Sequence, residues 1–296
     1  MEFAVNGRAL EGSTAPVVAR ILERMQAQGH GVHLTPVLAA WLQENELPAS
    51  YPVLSAAAPD PAAIDMFIGL GGDGNFLDTA AQSGHSGIPV LGINLGRLGF
   101  LSSVRLEEVD QALTALAEGR FTIQARSMLQ ASGPPELAGV HDQALNEVSV
   151  TKLDSASMIA VDVYLDEEFL NTYWADGLIV ATPTGSTAYS LSCGGPILHP
   201  SNAALVITPV SAHNLNVRPI VVPDHHTIRL QMESRGDRCL LNLDSRGVSI
   251  GAETPVVVRR STNGLRVVQL EGHDFLHTLR TKLNWGLDLR SGLRGH

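Results

Sequence analysis

Short apolar runs alternate with helical patterns over the first 125 residues. The runs cover residues 3–5, 32–34, 66–70 and 88–93, and each has the length of a strand. Between and after them, apolar side chains recur every three or four positions, which indicates helices around Ile21, Leu38, Phe76 and Leu113. Strands that alternate with helices in this way predict a parallel sheet with helices on its faces.

The pattern changes after Arg126. Strand-like segments follow one another at residues 145–150, 158–165, 169–173, 177–181, 227–232, 239–243, 255–259 and 265–270. Asp166-Glu167-Glu168 is typical of a hairpin turn between two of these segments. A helical pattern returns at residues 274–285. The second half of the chain is therefore predicted to be rich in β-strands.

Three glycines and one carboxylate stand where the apolar run at residues 66–70 meets the following helix. The sequence there is Gly71-Gly72-Asp73-Gly74. Free N–H groups at a helix N-terminus bind anions, and glycine lets a phosphate approach the backbone closely. Asp73 has two interpretations: it caps the helix, as Asp often does, or it faces a substrate hydroxyl beside a bound phosphate.

Two better-known glycine motifs do not account for this turn. Gly69, Gly71 and Gly74 match the dinucleotide pattern G-x-G-x-x-G, but residues 92–96 carry no acid for the ribose, which disfavours a dehydrogenase. A P-loop needs a lysine directly after a glycine, and neither of the two lysines of the chain follows one. A phosphate would have to be held by backbone N–H groups, arginines, hydroxyls or a metal ion.

Composition limits the classes of function. The chain has 296 residues, a formal net charge of −10 and a pI of about 5.5. Such acidity disfavours nucleic acid or an anionic membrane as a partner. No apolar run approaches the ~18 residues of a membrane helix, and the first residues lack the features of a signal peptide. The two cysteines, Cys193 and Cys239, form no C-x-x-C pair. We expect a soluble, cytoplasmic protein.

A second polar region lies in the β-rich half. Residues 182–196, which we call the hydroxyl segment, carry six Ser or Thr hydroxyls among small residues. These hydroxyls either bond their own backbone in a Ser/Thr-rich turn or bind a polar ligand. Asn146-Glu147 interrupts an apolar run, and Asp176-Gly177 precedes the strand that leads into the segment. A carboxylate in apolar surroundings is uncommon unless it has polar or charged partners. Glu147 is therefore a candidate residue of a ligand-binding cleft.

These regions together resemble the NAD kinases. The stretches that carry the resemblance stand in the family's order and are Gly71-Gly72-Asp73-Gly74, Asn94-Leu95-Gly96-Arg97-Leu98-Gly99-Phe100-Leu101, Asn146-Glu147, Asp176-Gly177 and the hydroxyl segment. The tail Thr281-Lys282-Leu283-Asn284-Trp285 is similar too, and the likeness covers about residues 64–285. Gly-Gly-Asp-Gly also occurs in lipid kinases and phosphofructokinases, whereas the hydroxyl segment is specific to NAD kinases.

The resemblance implies two domains and one reaction. Residues 1–125 would form a Rossmann-like α/β domain to which the tail of residues 274–296 returns, and residues 126–273 would form a β-rich, NAD-binding domain. The implied reaction moves the γ-phosphate of ATP, with Mg²⁺ or Mn²⁺, to the 2′-hydroxyl of the adenosine ribose of NAD. The resemblance also implies a homo-oligomer, a tetramer or a dimer, assembled through the β-rich half.

Individual residues acquire roles from the same resemblance. Asp73 would be the catalytic carboxylate and would contact NAD together with Gly74. Asn146 and Glu147 would hold the ribose of the nicotinamide half, which Asp176 would also contact. The adenine and ribose side would be lined by Thr187, Ala188, Tyr189, Ser190, Leu191 and Ser192. The phosphate region would comprise Gly71, Gly72, Asn75 and His213, although His213 by itself is typical of a structural histidine.

Several positions depart from the residues usual in the family. Asn75 replaces a Thr, so an amide stands where a hydroxyl would lie near the phosphates. Ser157 and Trp174 stand where some members place basic or His residues, and Arg246 stands where a Gln is sometimes found. We expect Ser157, Trp174 and Arg246 to be NAD contacts.

Two further alternatives share part of this pattern. A lipid kinase would use Gly-Gly-Asp-Gly but has no use for the hydroxyl segment. A non-catalytic dinucleotide-binding regulator would keep that segment but would not need Asp73. The NAD kinase reading accounts for both features.

Overall fold

The computed structural model describes residues 1–8, 10–47, 50–55, 60, 62–96, 99–138, 141–153, 158–234, 236–272 and 274–285. The chain divides into a first unit, Met1–Ala125 together with the chain from Leu265 onward, and a second unit, Arg126–Gly264. The predicted fold class, an α/β unit followed by a β-rich unit, is confirmed.

A mainly parallel sheet forms the centre of the first unit. Its strands are β1 (Glu2–Asn6), β2 (Gly31–Leu34), β3 (Met66–Leu70), β4 (Val90–Asn94), β5 (Val104–Arg105), β6 (Phe121–Arg126) and, late in the chain, β19 (Leu265–Leu270). The strand order is β2-β1-β3-β4-β19-β6, and β5 also pairs with β4. The pairs β1–β2, β1–β3, β3–β4, β4–β5 and β4–β19 are parallel.

Four helices of the first unit bury apolar residues against this sheet: α1 (Ala15–Ala27), α2 (Pro36–Glu44), α3 (Asp73–Ser83) and α4 (Val109–Ala117). The first unit also contains α6 (Phe275–Leu283), in which Leu279 is buried. Helix α5 (Tyr189–Ser192) belongs to the second unit. The Thr35 hydroxyl caps α2 by accepting the Leu38 N–H at 3.4 Å, and Pro36 occupies the first helical position. In the described part of the chain, no helix combines the length and the apolar character that crossing a membrane requires.

The boundary at the end of the second unit differs from the prediction. The sequence places residues 265–273 in the β-rich domain, with a return to the first domain only at residue 274. In the structure β19 already lies in the parallel sheet, where Val267 pairs with Val90 of β4. A short apolar strand has the same pattern in either kind of sheet, so its hydrophobicity does not reveal which strands it joins.

Two antiparallel sheets make up the second unit. Their strands are β7 (Leu129–Ser132), β8 (Gln143–Ala144), β9 (Glu147–Lys152), β10 (Ile159–Leu165), β11 (Glu168–Ala175), β12 (Gly177–Ala181), β13 (Ala204–Val210), β14 (Ile220–Pro223), β15 (Ile228–Glu233), β16 (Arg238–Leu243), β17 (Arg246–Gly251) and β18 (Val256–Arg260). The strand orders are β11-β10-β15-β18-β7-β8 and β14-β13-β12-β9-β16-β17. One apolar cluster contains Val161 and Leu230 from the first sheet and Val150 and Val180 from the second, so both sheets share a core.

Several local features of this unit bear on the prediction. The predicted hairpin at Asp166-Glu167 is confirmed, because both residues have positive φ angles, 47° and 71°, between β10 and β11. The sequence does not predict β7, β8, β13, β14 and β17 of this unit, nor β5 and β6 of the first unit. β13 is a buried central strand, but Pro209 interrupts its apolar run and argues against a strand when only the sequence is considered.

Candidate functional site

The glycine turn joins β3 to α3 in the first unit. β3 is buried along its whole length. Gly71 follows with a φ angle of 130°, which favours glycine, and a side chain there would overlap the Asn75 amide. α3 begins at Asp73, with Gly72 as its N-cap and exposed Gly74 in its first turn. The structure thus brings these predicted residues into one strand–turn–helix connection.

This connection lies at the carboxyl end of the central strands. β1 pairs with β2 on one side and with β3 on the other, so the strand order reverses between β1 and β3. In open α/β sheets, ligands bind in the crevice beside such a reversal. The loop after β1 contacts α3 there, since Asn75 Oδ1 accepts the Arg8 N–H at 2.5 Å. Arg8 is not predicted from the sequence, because strand order cannot be deduced from hydrophobic periodicity.

The Asp73 carboxylate is bound by the turn of residues 99–102, which follows β4. Oδ2 accepts the Phe100 N–H at 2.8 Å, and Oδ1 accepts the N–H groups of Leu101 and Ser102 at 3.0 and 3.1 Å. Asp73 makes no capping bond to the first turn of α3, whose N-cap is Gly72. The helix-cap interpretation of Asp73 is therefore wrong, because the carboxylate is turned toward another loop.

In the second unit, Asn146 and Glu147 are held by Asp244. The Asp244 carboxylate accepts the N–H groups of Leu145, Asn146 and Glu147 at 2.9, 2.8 and 3.1 Å. β9 therefore begins at Glu147 and not at the predicted residue 145, since a side chain takes the preceding N–H groups. Burial raises the pKa of Asp244, although the three N–H donors oppose that shift. Asp244 lies far along the chain from Asn146, so the sequence gives no sign of this role.

Glu147 is a buried carboxyl group with an open acceptor atom. Its exposed fraction is 9%. Burial, and then the negative charge of Asp244, raises the pKa of Glu147 to about 8, while a bond from the Tyr189 N–H opposes the shift. Glu147 Oε2 and Asn146 Oδ1 are buried and have no hydrogen-bond partner among the described residues. Because buried polar atoms in proteins normally have partners, these two atoms point to a polar ligand.

This burial predicts a pH-dependent stability. Between the ordinary pKa of 4.5 and the folded-state pKa of about 8, the unfolded chain releases a proton that folded Glu147 keeps. The free energy of unfolding therefore falls as the pH rises through this range. We expect Glu147→Gln, which keeps the shape of the neutral acid, to raise the melting temperature at pH 8 and to lose that advantage toward pH 5. Calorimetric melting at pH 5, 6.5 and 8 measures the effect.

A matched control is Glu168→Gln, which removes an exposed carboxylate from the same unit. It is expected to leave the pH dependence of melting unchanged. Equal melting curves for wild type and Glu147→Gln at every pH would show that burial does not raise the pKa of Glu147.

The hydroxyl segment is anchored on the connection that carries Asn146. The Thr182 N–H donates to Asn146 O at 2.8 Å, and Thr182 Oγ1 donates to Leu145 O at 2.6 Å. A side chain at Gly185 would overlap Asn146 O, so glycine permits this close approach. Thr182 Oγ1 also accepts the Gly185 N–H at 3.0 Å. These contacts place the start of the segment beside Leu145 and Asn146, which directly precede Glu147.

Several hydroxyls of the segment bond within the protein. Ser186 Oγ donates to Pro183 O at 2.7 Å, Thr187 Oγ1 donates to Thr184 O at 3.2 Å, and Ser190 Oγ shares a bond of 2.8 Å with Thr208 Oγ1. The turn interpretation therefore describes what these groups do in the structure. The predicted residues in the second half of the segment are half-buried Thr187, Ala188 and Leu191, buried Ser190, and exposed Tyr189 and Ser192.

Other predicted contacts lie close to this region. Asp176, between β11 and β12, forms an ion pair with Lys152 at 2.7 Å. Tyr189 is close enough for the charges of both Asp176 and Glu147 to raise its pKa, although burial is the larger cause. Asp176, Glu147 and Tyr189 therefore form one polar cluster in the second unit.

The remaining predicted residues are placed less closely together. The His213 N–H donates to Trp174 O at 2.9 Å, so these two residues are neighbours, and both side chains are exposed. Arg246 Nη2 donates to Gln143 O and lies 3.9 Å from Asp244 Oδ2, which links it to the support of Glu147. Ser157 lies outside the described residues.

Arg126 is a polar residue of this region that the sequence does not predict as a site residue. It is 7% exposed, and Nη1 donates to Thr184 Oγ1 at 3.4 Å. Nε has no hydrogen-bond partner among the described residues. Burial lowers the pKa of Arg126 to about 10, so the guanidinium stays charged near neutral pH. A single arginine at a strand end gives no recognisable sequence signal.

Two family profiles match the chain. The profile of the ATP-NAD kinase N-terminal domain matches residues 18–121, and that of the ATP-NAD kinase C-terminal domain matches residues 145–270. The chain belongs to the NAD kinase family. The predicted resemblance is thereby confirmed, and the lipid kinase alternative is set aside.

Relatives and solved structures agree with this assignment. The NAD kinases of Flavobacterium psychrophilum and Cytophaga hutchinsonii are 41% and 40% identical to the chain, and each match covers 98% of this chain and 100% of the relative. A yeast NADH kinase complexed with NADH has a TM-score of 0.83 at 24% identity, over 98% of this chain and 89% of that one. An NAD kinase from Archaeoglobus fulgidus in complex with ATP has a TM-score of 0.74 at 23% identity, over 96% and 99%. At these identities the two structures support the NAD kinase fold.

Proposed function

We propose that the protein is an NAD kinase that transfers the γ-phosphate of ATP to the 2′-hydroxyl of the adenosine ribose of NAD, giving NADP. The observation that carries the proposal is the position of Asp73. It is a half-buried carboxylate at the start of α3, directly after a glycine turn, in a chain of this family. Phosphoryl transfer to an alcohol needs a group that accepts the hydroxyl proton beside a site that binds phosphates.

The glycine turn supplies the phosphate region in this proposal. The first N–H groups of an α-helix have no partner within the helix and favour anions. Gly71, Gly72, Gly74 and Asn75 lie at the start of α3. We also propose His213 as a contact of the phosphates. The donor phosphates would accept hydrogen bonds from these backbone groups, while Asp73 accepts the proton of the ribose hydroxyl.

The second unit supplies the NAD contacts. Asn146 Oδ1 and Glu147 Oε2, which have no partner among the described residues, are suited to ribose hydroxyls. Asp176 and Tyr189 lie in the same polar cluster. The further contacts that we propose are Ser157, Trp174, Thr187, Ala188, Ser190, Leu191, Ser192 and Arg246.

The divalent metal is proposed to arrive as part of the donor, as MgATP. Mg²⁺ keeps several waters and is held by one or two carboxylates together with substrate phosphates. Among the described residues, no group of three or more His, Cys, Asp or Glu has the arrangement of a metal site. A metal that is carried by the donor phosphates would not need such a group.

A coupled assay tests the reaction. The protein is incubated with NAD, ATP and Mg²⁺, and NADP is measured with an NADP-specific dehydrogenase. Steady formation of NADP, one for each ATP consumed, is the expected result. Binding of NAD without NADP formation would instead support the non-catalytic regulator.

We further propose that the protein forms a homo-oligomer through the second unit. Strands β8, β11, β14 and β17 end the two sheets of that unit, and such edges readily pair with another chain. Phe169 on β11 is 54% exposed. We expect light scattering to give the mass of a dimer or a tetramer. A fully active monomer at assay concentration would contradict this expectation.

A further inference from the structure

The turn of residues 99–102 surrounds the Asp73 carboxylate with backbone N–H groups. Three consecutive residues, Phe100, Leu101 and Ser102, donate to it at 2.8, 3.0 and 3.1 Å. We propose that this turn, which we call the Asp73 clamp, positions the carboxylate for catalysis, and that Gly99 is the residue that makes room for it. The proposal rests on the proposed phosphoryl transfer and names the residues that position its proton acceptor.

Gly99 leaves the space that the carboxylate occupies. A Cβ atom built at Gly99 would overlap Asp73 Oδ1 and would lie 2.5 Å from Cγ and 2.8 Å from Oδ2. Any residue other than glycine must therefore push the carboxylate away from the three N–H donors. Because the Asp side chain is short and only half-buried, it can rotate away while the surrounding helix and sheet remain folded.

The clamp is itself fixed to the first unit. Ser102 is fully buried, and a Cβ at Gly92 of β4 would lie only 2.7 Å from Ser102 Cα, so the turn packs directly against the sheet. Lys282 of α6 places its Nζ atom 6.0 Å from the centre of the Phe100 ring. A turn that packs directly against the sheet can hold a side chain in one orientation.

The clamp still leaves an acceptor position for a substrate. A carboxylate has about four acceptor positions, two on each oxygen. Oδ1 accepts two N–H groups and Oδ2 accepts one, so Oδ2 keeps one position. In the proposed step the proton of the 2′-hydroxyl moves to Asp73 Oδ2, and the 2′-oxygen bonds to the γ-phosphorus. The bond from that phosphorus to the β–γ bridging oxygen breaks, and ADP leaves.

The first test is Gly99→Ala, which displaces the carboxylate without removing it. We expect kcat to fall by about 10²-fold, the effect of a displacement near 1 Å in a catalytic group, while the KM for NAD changes little. Gly96→Ala is the matched control in the same loop, because the nearest atom to its Cβ among the described residues would be Asn94 Oδ1 at 4.0 Å. Wild-type kcat in Gly99→Ala would overturn the proposal.

A double mutant shows whether Gly99 acts through Asp73. In the Asp73→Asn background, adding Gly99→Ala is expected to change kcat less than about threefold, because the group that the clamp positions is already lost. If the two single effects multiply instead, Gly99 acts by another route and the proposal is wrong.

Amide hydrogen exchange tests the clamp without any activity measurement, and it does not require Gly99→Ala to fold. The N–H groups of Phe100, Leu101 and Ser102 should exchange slowly in the wild type and at least tenfold faster in Asp73→Ala. Equal exchange in both proteins would overturn the clamp. Absence of NADP formation by the wild type would overturn the phosphoryl transfer proposal instead, so the two failures are distinguishable.

Discussion

Asp73→Asn is expected to lower kcat by about 10²–10⁴-fold, the usual contribution of a general base. A ribose hydroxyl is a poor nucleophile until its proton is accepted, and an amide cannot take that proton. The variant also disturbs the Asp73 clamp, because an NH₂ group in place of Oδ2 would face the Phe100 N–H, which now donates at 2.8 Å. NAD affinity should change only a few-fold, since the proposed NAD contacts lie mainly in the second unit. The measurements are kcat in the coupled assay and NAD affinity by calorimetry.

Asp110→Asn is the matched control for this prediction. Asp110 is an exposed carboxylate of α4 that pairs with Arg24 at 3.2 Å on the surface, where one ion pair contributes little to stability. Its kcat should equal that of the wild type. Near-normal kcat in Asp73→Asn would remove Asp73 from the chemistry and leave it as the anchor of residues 99–102. Lost NAD binding with an unchanged melting temperature would make it a substrate anchor.

The fold was predictable where one element carries its own signal. Met66–Leu70 is uniformly apolar and leads through glycines into a helical pattern, so β3 and α3 are evident from the sequence. The sheet to which a strand belongs is not evident, and β19 shows why. Its partner β4 lies about 175 residues earlier in the chain, and pairing over that distance depends on the whole sheet and not on the strand's own residues.

The candidate site was predictable where the motif residues themselves carry the chemistry. Asp73, Asn146, Glu147 and Asp176 were identified from such motifs. The groups that support these residues were not predictable, because they lie far away in the sequence and come close only in the folded chain. Asp244, for example, binds the backbone of Asn146 and Glu147 from about 98 residues away. For the hydroxyl segment the sequence leaves two uses open, a bond to its own backbone or a ligand contact, and the Ser186 hydroxyl makes the backbone bond.

Removal of divalent metal is the second prediction with a large expected effect. With excess EDTA we expect NADP formation to fall below detection and to return on addition of Mg²⁺ or Mn²⁺. The triphosphate is a polyanion, and a divalent metal bound to it would neutralise the charge that develops during phosphoryl transfer. This chain, with a net charge of −10, repels such a donor unless local groups compensate.

Only two of the 20 Lys and Arg residues of the chain are lysines. Of its two lysines, Lys152 is engaged with Asp176 at 2.7 Å, and Lys282 lies beside the Phe100 ring. The backbone N–H groups at the start of α3, which we propose to bind phosphate oxygens, carry only partial charge. We therefore expect the metal to supply much of the neutralisation. Two measurements keep the test specific: the melting temperature and the affinity for NAD should be the same with and without EDTA. Turnover at the full rate in metal-free buffer would show that the protein neutralises the charge of the donor by itself. Arg8 would then be the first residue to test, because its backbone N–H is bound by Asn75 beside the glycine turn.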